Sequence, residues 1–266
     1  MNLPRLLALC VFLLAGPAAI AQTRPFAPVA ATFDRAPAND PALKATLARL
    51  REAVEKRDMK ALHAALAKNF TAIACKPDPT RECLPGKPGV KQPSAKLTPV
   101  QRMEQGMCCE DTPRKMITRE ITETAIFGQL SNALVSEQVA AHPSLPGVVC
   151  TPALAAIDLR KAAALVKATE LDPVFLRVTE ADIPLHEKPA RDARVVYTIP
   201  AGSLVPLMAD MAANLPQDWN AFALPTGGLA YSDVAELHEA APPSLCLARE
   251  GSTWKIRLFI GRLEFT

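Results

Sequence analysis

The sequence predicts an α+β protein: a mainly helical N-terminal region over residues 40–170, followed over residues 173–266 by a β-rich domain that ends in an extra hairpin. Three observations predict this. Apolar residues recur at spacings of three and four as far as Thr169, which is the helical period. After Asp172-Pro173 the period falls to two, that of a half-buried strand. Six of the seven cysteines lie beyond residue 21, an even number that suits disulfides in an exported protein.

Residues 1–21 read as a secretory signal peptide: Arg5 supplies the positive start, Leu6 to Leu14 the apolar run, and Ala19-Ile-Ala21 the small-residue cleavage site. That run is far short of the roughly 20 apolar residues a membrane span needs, and no later segment reaches it. A periplasmic or secreted protein without an integral membrane segment after cleavage is therefore expected. Residues 22–39 hold Pro25, Pro28 and Pro37 without either period, and read as a flexible mature N-terminus.

Asp40 before Pro41 has the form of an N-cap with proline at the first helical position, and Leu43, Leu47, Leu50 and Val54 then form one apolar stripe. Asp58 can cap a second helix with Met59, Leu62 and Leu66 on its buried face. The order helix, short helix, strand-like Phe70–Ala74 loosely resembles the opening of the nuclear-transport-factor-like cone fold, although the same residue types suit any helical hairpin. Residues 76–99 are rich in proline and read as a long loop. Thr98-Pro99 repeats the cap signal, with Val100, Met103 and Met107 on one face. Helical spacing continues from Ile117 to Ala141, Cys150-Thr-Pro152 reads as a turn, and Asp158 can cap a helix with Leu159, Ala162, Ala163 and Val166 inward.

Strands are expected at Val174–Val178, Val195–Ile199, Leu204–Met208 and Trp219–Leu224, the last joined to Leu229–Tyr231 through Gly227-Gly228. A final hairpin, Leu245–Arg249 and Thr253–Gly261, would place Trp254, Ile256, Leu258 and Ile260 on one face. Within this stretch, Ile183-Pro-Leu-His-Glu-Lys-Pro189, then Val195, Val196, Ile199, Gly202 and Val205, then Trp219 ahead of Thr226-Gly-Gly and Tyr231, resembles a bacterial SH3-like (SH3b) domain. Residues 173–260 also resemble the ending of a group of exported proteobacterial proteins that join a helical front to such a barrel. The resemblance implies a small SH3-like β-barrel. It also implies a groove of aromatics, here Tyr197, Trp219 and Tyr231, recognising cell-wall peptides or a partner domain. Pro184, His186 and Ala230 depart from the family pattern, and the same aromatics could instead fill the barrel core.

Six cysteines allow 15 pairings. A bond between adjacent Cys108 and Cys109 would close a tight ring. The expectation is that these two reach Cys75 and Cys83, leaving Cys150 to join Cys246. The chain carries no nucleophile elbow, zinc-protease, Walker or dinucleotide motif. Cys150 or Cys109 with His142 or His63 is the sharpest enzymatic arrangement, a thiol-dependent hydrolase or redox protein, and it needs a free cysteine. Cys108, Cys109, Cys150 and His142 lack zinc spacing, and Glu110-Asp111 and the pair Glu120 and Glu123 read as solvated faces. With 30 basic and 27 acidic residues and no basic block, a nucleic-acid partner is not expected. No cofactor is implied. The expected function is a non-catalytic binding module of the cell envelope, its partner peptidoglycan peptide or an envelope protein; a purely structural envelope protein is the other alternative.

Overall fold

The computed structural model describes residues 24–76, 78–109, 113–208, 215–233 and 237–262. The expected signal peptide and the Glu110-Asp111 pair lie outside them. Among the described residues the chain is mostly β, with fourteen strands in three sheets and five short α-helices. The mainly helical N-terminal region is thereby corrected: its helices form one layer on a sheet that the sequence assigns to distant segments. No described helix is long and apolar enough to cross a membrane.

The segment read as flexible holds strand β1 (Val29–Thr32). Val29 and Ala31 are each 1% exposed, so four residues of alternating burial do the work of a buried strand. The strand is too short to show a period in the sequence, and its partners lie far away.

Helices α1 (Pro41–Glu55) and α2 (Met59–Ala65) follow, capped by Asp40 and Asp58 as their sequences predict. Strand β2 (Leu66–Cys75) runs directly out of α2. Helix α3 (Pro99–Met107) opens on a capping box in which Thr98 and Gln101 satisfy each other's backbone N–H groups. Helix α4 (Arg119–Leu134) ends short of the expected Ala141, which instead belongs to strand β3 (Ala140–Ala141). Cys150 sits not in a turn but in strand β4 (Val148–Thr151).

The C-terminal hairpin, strands β13 (Ser244–Glu250) and β14 (Thr253–Arg262), joins this first unit rather than the β-rich part that precedes it. The sheet order is β2-β14-β13-β4-β3, with β14 parallel to β2 and antiparallel to β13. Leu43, Leu47, Leu50, Leu62, Phe70 and Met103 of the helical layer and β2 pack against Leu247, Trp254, Ile256 and Phe259 of the hairpin. Asp40 links the layers: besides capping α1 its carboxylate accepts from Trp254 Nε1 at 3.0 Å and pairs with Arg249. The Arg249 guanidinium, ahead of the indole and cap bonds, holds its pKa at about 2.

Strand β14 does not keep one face. Leu247 faces Ile256 but Cys246 faces Leu258, so Arg257 is an extra, bulged residue. Trp254 and Ile256 therefore face the helices, while Leu258 and Ile260 turn to the opposite side with Ile73, Cys150 and Cys246. A strict period of two cannot reveal this, because a bulge changes the face without changing the residue types.

Between β4 and β13 the chain builds a second unit. Strand β5 (Ala156–Ile157) leads to helix α5 (Leu159–Thr169), capped by Asp158. Strands β6 (Leu176–Thr179), β7 (Ile183–His186), β8 (Val195–Ile199), β9 (Ser203–Pro206), β10 (Asn220–Ala223), β11 (Leu229–Ser232) and β12 (Leu237–Glu239) follow. They form two sheets, β12-β6-β9-β1-β5 and β10-β11-β7-β8, joined where Leu207 bridges Phe222, a curled half-barrel. Strand β1 supplies the place between β9 and β5, and α5 packs Ala162 and Leu165 against Val29, Leu176 and Leu204. The curl closes over Ile183, Leu185, Ile199, Val205, Phe222 and Ala230.

Candidate functional site

Period two along β7 turns Ile183 and Leu185 into the half-barrel core and leaves Pro184 and His186 outward. Tyr231 lies directly across β11 from His186, and directly opposite residues of an antiparallel pair share a face. Trp219, just before β10, meets the His186 ring edge-on with centroids 5.8 Å apart and planes at 77°. All three side chains are half-buried. His186 Nδ1 donates to the Ala193 carbonyl at 2.8 Å, which fixes the imidazole against the β7–β8 turn. On either side stand the exposed ion pairs Arg191–Asp233 and Arg194–Glu187. The face offers a ring edge, an indole and a phenol without a nucleophile among them, groups capable of stacking and of hydrogen bonding.

Tyr197 is not part of this group. It lies opposite Leu185 across β8 and packs on the half-barrel core. Of the three aromatics expected to act together, the fold brings Trp219 and Tyr231 to one face and sends Tyr197 to the other. His186, in sequence only a departure from the family pattern, is the third member of the face. Alternation along β7 points it outward, but its partners depend on a register set by β11.

A second concavity of about 350 Å³ lies where the half-barrel unit meets the first sheet. The Cys75–Cys83 loop, His142, the edge strand β5 and Pro242-Pro243 line it. Most of its charged groups are paired: Glu82 with Lys87 at 2.7 Å, Asp78 with Arg81 at 3.4 Å, and Arg262 with Glu239. His142 is 8% exposed, and burial pushes its pKa down to about 4, against a smaller opposing pull from Glu82. Its Nδ1 accepts the Ser144 backbone N–H at 3.1 Å, while Ser144 bonds its side chain to Glu82. The serine hydroxyl is thus engaged away from the imidazole, and the trio is not arranged as a nucleophile and its base. Such a cleft suits an uncharged, largely apolar guest.

The cysteines form Cys75–Cys83, Cys108–Cys109 and Cys150–Cys246. The last is the expected pair; the first two correct the expectation that Cys108 and Cys109 reach Cys75 and Cys83. Cys75 ends β2 and the loop brings Cys83 back within a Cα separation of 6.0 Å, well inside disulfide reach. Cys109 takes a left-handed backbone, φ 63°, which lets the adjacent pair close its own ring beyond α3. All six are therefore bonded, and Cys150 is fully buried. Neither Cys150 with His142 nor Cys109 with His63 has a thiol to activate in this oxidised form.

Comparison of the chain with protein-family models, with curated proteins and with solved structures finds no match to it.

Proposed function

We propose that this is an exported protein of the bacterial cell envelope that acts by binding, and that its SH3-like half-barrel holds peptidoglycan peptide or an envelope protein on the His186–Trp219–Tyr231 face. The observation that carries the reading is that Trp219 and Tyr231 flank an outward imidazole instead of filling the half-barrel core, which Phe222, Ile183 and Leu185 already occupy. A half-buried indole and phenol side by side are the side chains that recognition surfaces favour, since they combine apolar area with a hydrogen-bonding edge. The leader-like first 21 residues and the three disulfides support an oxidising location.

Co-sedimentation of the oxidised mature protein with intact peptidoglycan sacculi tests this. Saturable binding that a folded Trp219→Ala plus Tyr231→Ala variant loses, and that Tyr197→Phe keeps, supports wall recognition through this face. If sacculi do not bring the protein down, in-cell cross-linking from position 231 decides between a protein partner and a structural role. No cross-linked partner would overturn the binding reading.

A further inference from the structure

We propose that the Cys108–Cys109 ring is a redox-active thiol–disulfide exchange site whose partner is a protein dithiol. The three bridges of this chain differ in what they restrain. Cys150–Cys246 closes a loop of 96 residues and is fully buried; Cys75–Cys83 closes a proline-rich loop. Cys108–Cys109 spans a single peptide, and a bridge stabilises a fold through the loop it closes, so this one restrains almost nothing. Stability does not account for it.

Its surroundings fit exchange. Both cysteines are half-exposed and line an open cleft of about 820 Å³ that also contains His63, Gln105 and Thr118. Cys109 is held at φ 63°, a backbone that a residue with a Cβ adopts at a cost, and ring opening releases that restraint. Cys108 Sγ lies 3.7 Å from the Thr122 hydroxyl, which donates to the Thr118 carbonyl at 3.0 Å in the oxidised form and would have to turn from it to stabilise a departing thiolate. His63 lines the same cleft, its Nε2 buried with no hydrogen-bond partner among the described residues.

The chemistry is a two-step exchange. One thiolate of the partner attacks Cys109 Sγ; the Cys108–Cys109 bond breaks, Cys108 leaves as the thiolate beside Thr122, and a mixed disulfide joins Cys109 to the partner. The partner's second thiolate then attacks its own sulfur in that bond and expels Cys109. The partner ends as a disulfide, and Cys108 and Cys109 hold the two electrons and, after protonation, two protons.

The test is a dithiothreitol titration of the native, full-length mature protein, quenched in acid, alkylated and mapped by mass spectrometry. The expected result is alkylation of Cys108 and Cys109 at roughly tenfold less reductant than Cys75 and Cys83 require, a difference of about 30 mV, with Cys150–Cys246 intact and circular dichroism unchanged. A Cys108→Ser variant, with its remaining thiol unable to re-close the ring, should form a stable adduct with oxidised glutathione at Cys109. Opening of Cys75–Cys83 first, opening of all three only with unfolding, or a non-reducing map that joins Cys108 or Cys109 to any other cysteine would overturn the proposal. Sacculus binding by the aromatic face is read separately and is untouched by any of these outcomes.

Discussion

Cys150 and Cys246 stand directly opposite each other on β4 and β13, their Cα atoms 4.0 Å apart although 96 residues separate them in the chain. These strands are where the chain leaves the first sheet to build the half-barrel unit and where it returns. The bond is a clasp across the base of an insertion. In the chain-entropy model a loop of this length is worth about 4 to 5 kcal/mol. Replacing both cysteines by alanine should therefore lower the unfolding free energy by about 3 to 5 kcal/mol in urea titration. A loss under about 1 kcal/mol would mean that the sheet alone holds the two ends together.

Strand β1 carries a sharper contrast. Val29 is buried between β9 and α5, whereas its neighbour Ala30 is exposed. Val29→Asp should destabilise by about 2 to 4 kcal/mol, since it buries a charge without a partner, and Ala30→Asp by no more than about 0.5 kcal/mol. Thermal melts of the two variants check this, and equal effects would show that the segment is not held as a strand.

Gly106 lets α3 pack close on β2: a Cβ there would stand 2.4 Å from Ala72 Cβ. Gly106→Ala should cost about 1 to 3 kcal/mol through overpacking. Adding Ala72→Gly should recover part of the loss. Strict additivity of the two substitutions in a double-mutant cycle would contradict the contact.

The expected pH dependence of the cleft follows from His142. Its folded pKa of about 4 lies below that of an ordinary histidine, so between these values the unfolded chain binds a proton that the folded chain does not. Stability should be complete above about pH 6.5, fall by on the order of 3 kcal/mol as pH drops to about 4, and change no further on this account below that. His142→Gln should flatten the difference between melts at pH 7 and pH 5. An unchanged difference would show that the imidazole is not held neutral.

Helix starts were readable because a cap is local: Asp40, Asp58, Thr98 and Asp158 each act within three residues of themselves. Several strands after Pro173 were readable for the same reason, although Pro173–Phe175 forms a 3-10 turn ahead of β6 and strands β7 and β12 were not expected. What could not be read is pairing. Strand β14 lies beside β2 rather than beside its sequence neighbours in the half-barrel, and β1 joins β9 across more than half of the chain. That is why an expected helical region became a helix layer on a sheet. The site divides likewise: Trp219 and Tyr231 were named from residue type and spacing, but their union with His186 and their separation from Tyr197 rest on strand register.

The topology of the first sheet also sets an order of events. Its inner strands β13 and β14 are made long after β2 and the helices they must cover. Until those two strands emerge, Leu43, Leu50, Phe70 and Met103 have no opposite wall. The leading half of the chain cannot complete its core ahead of the trailing end, and closing contacts of such long sequence separation is slow. A nascent chain of this design keeps its helical layer uncovered until β13 and β14 are made, and a chain truncated before Ser244 lacks the two strands on which its helices rest.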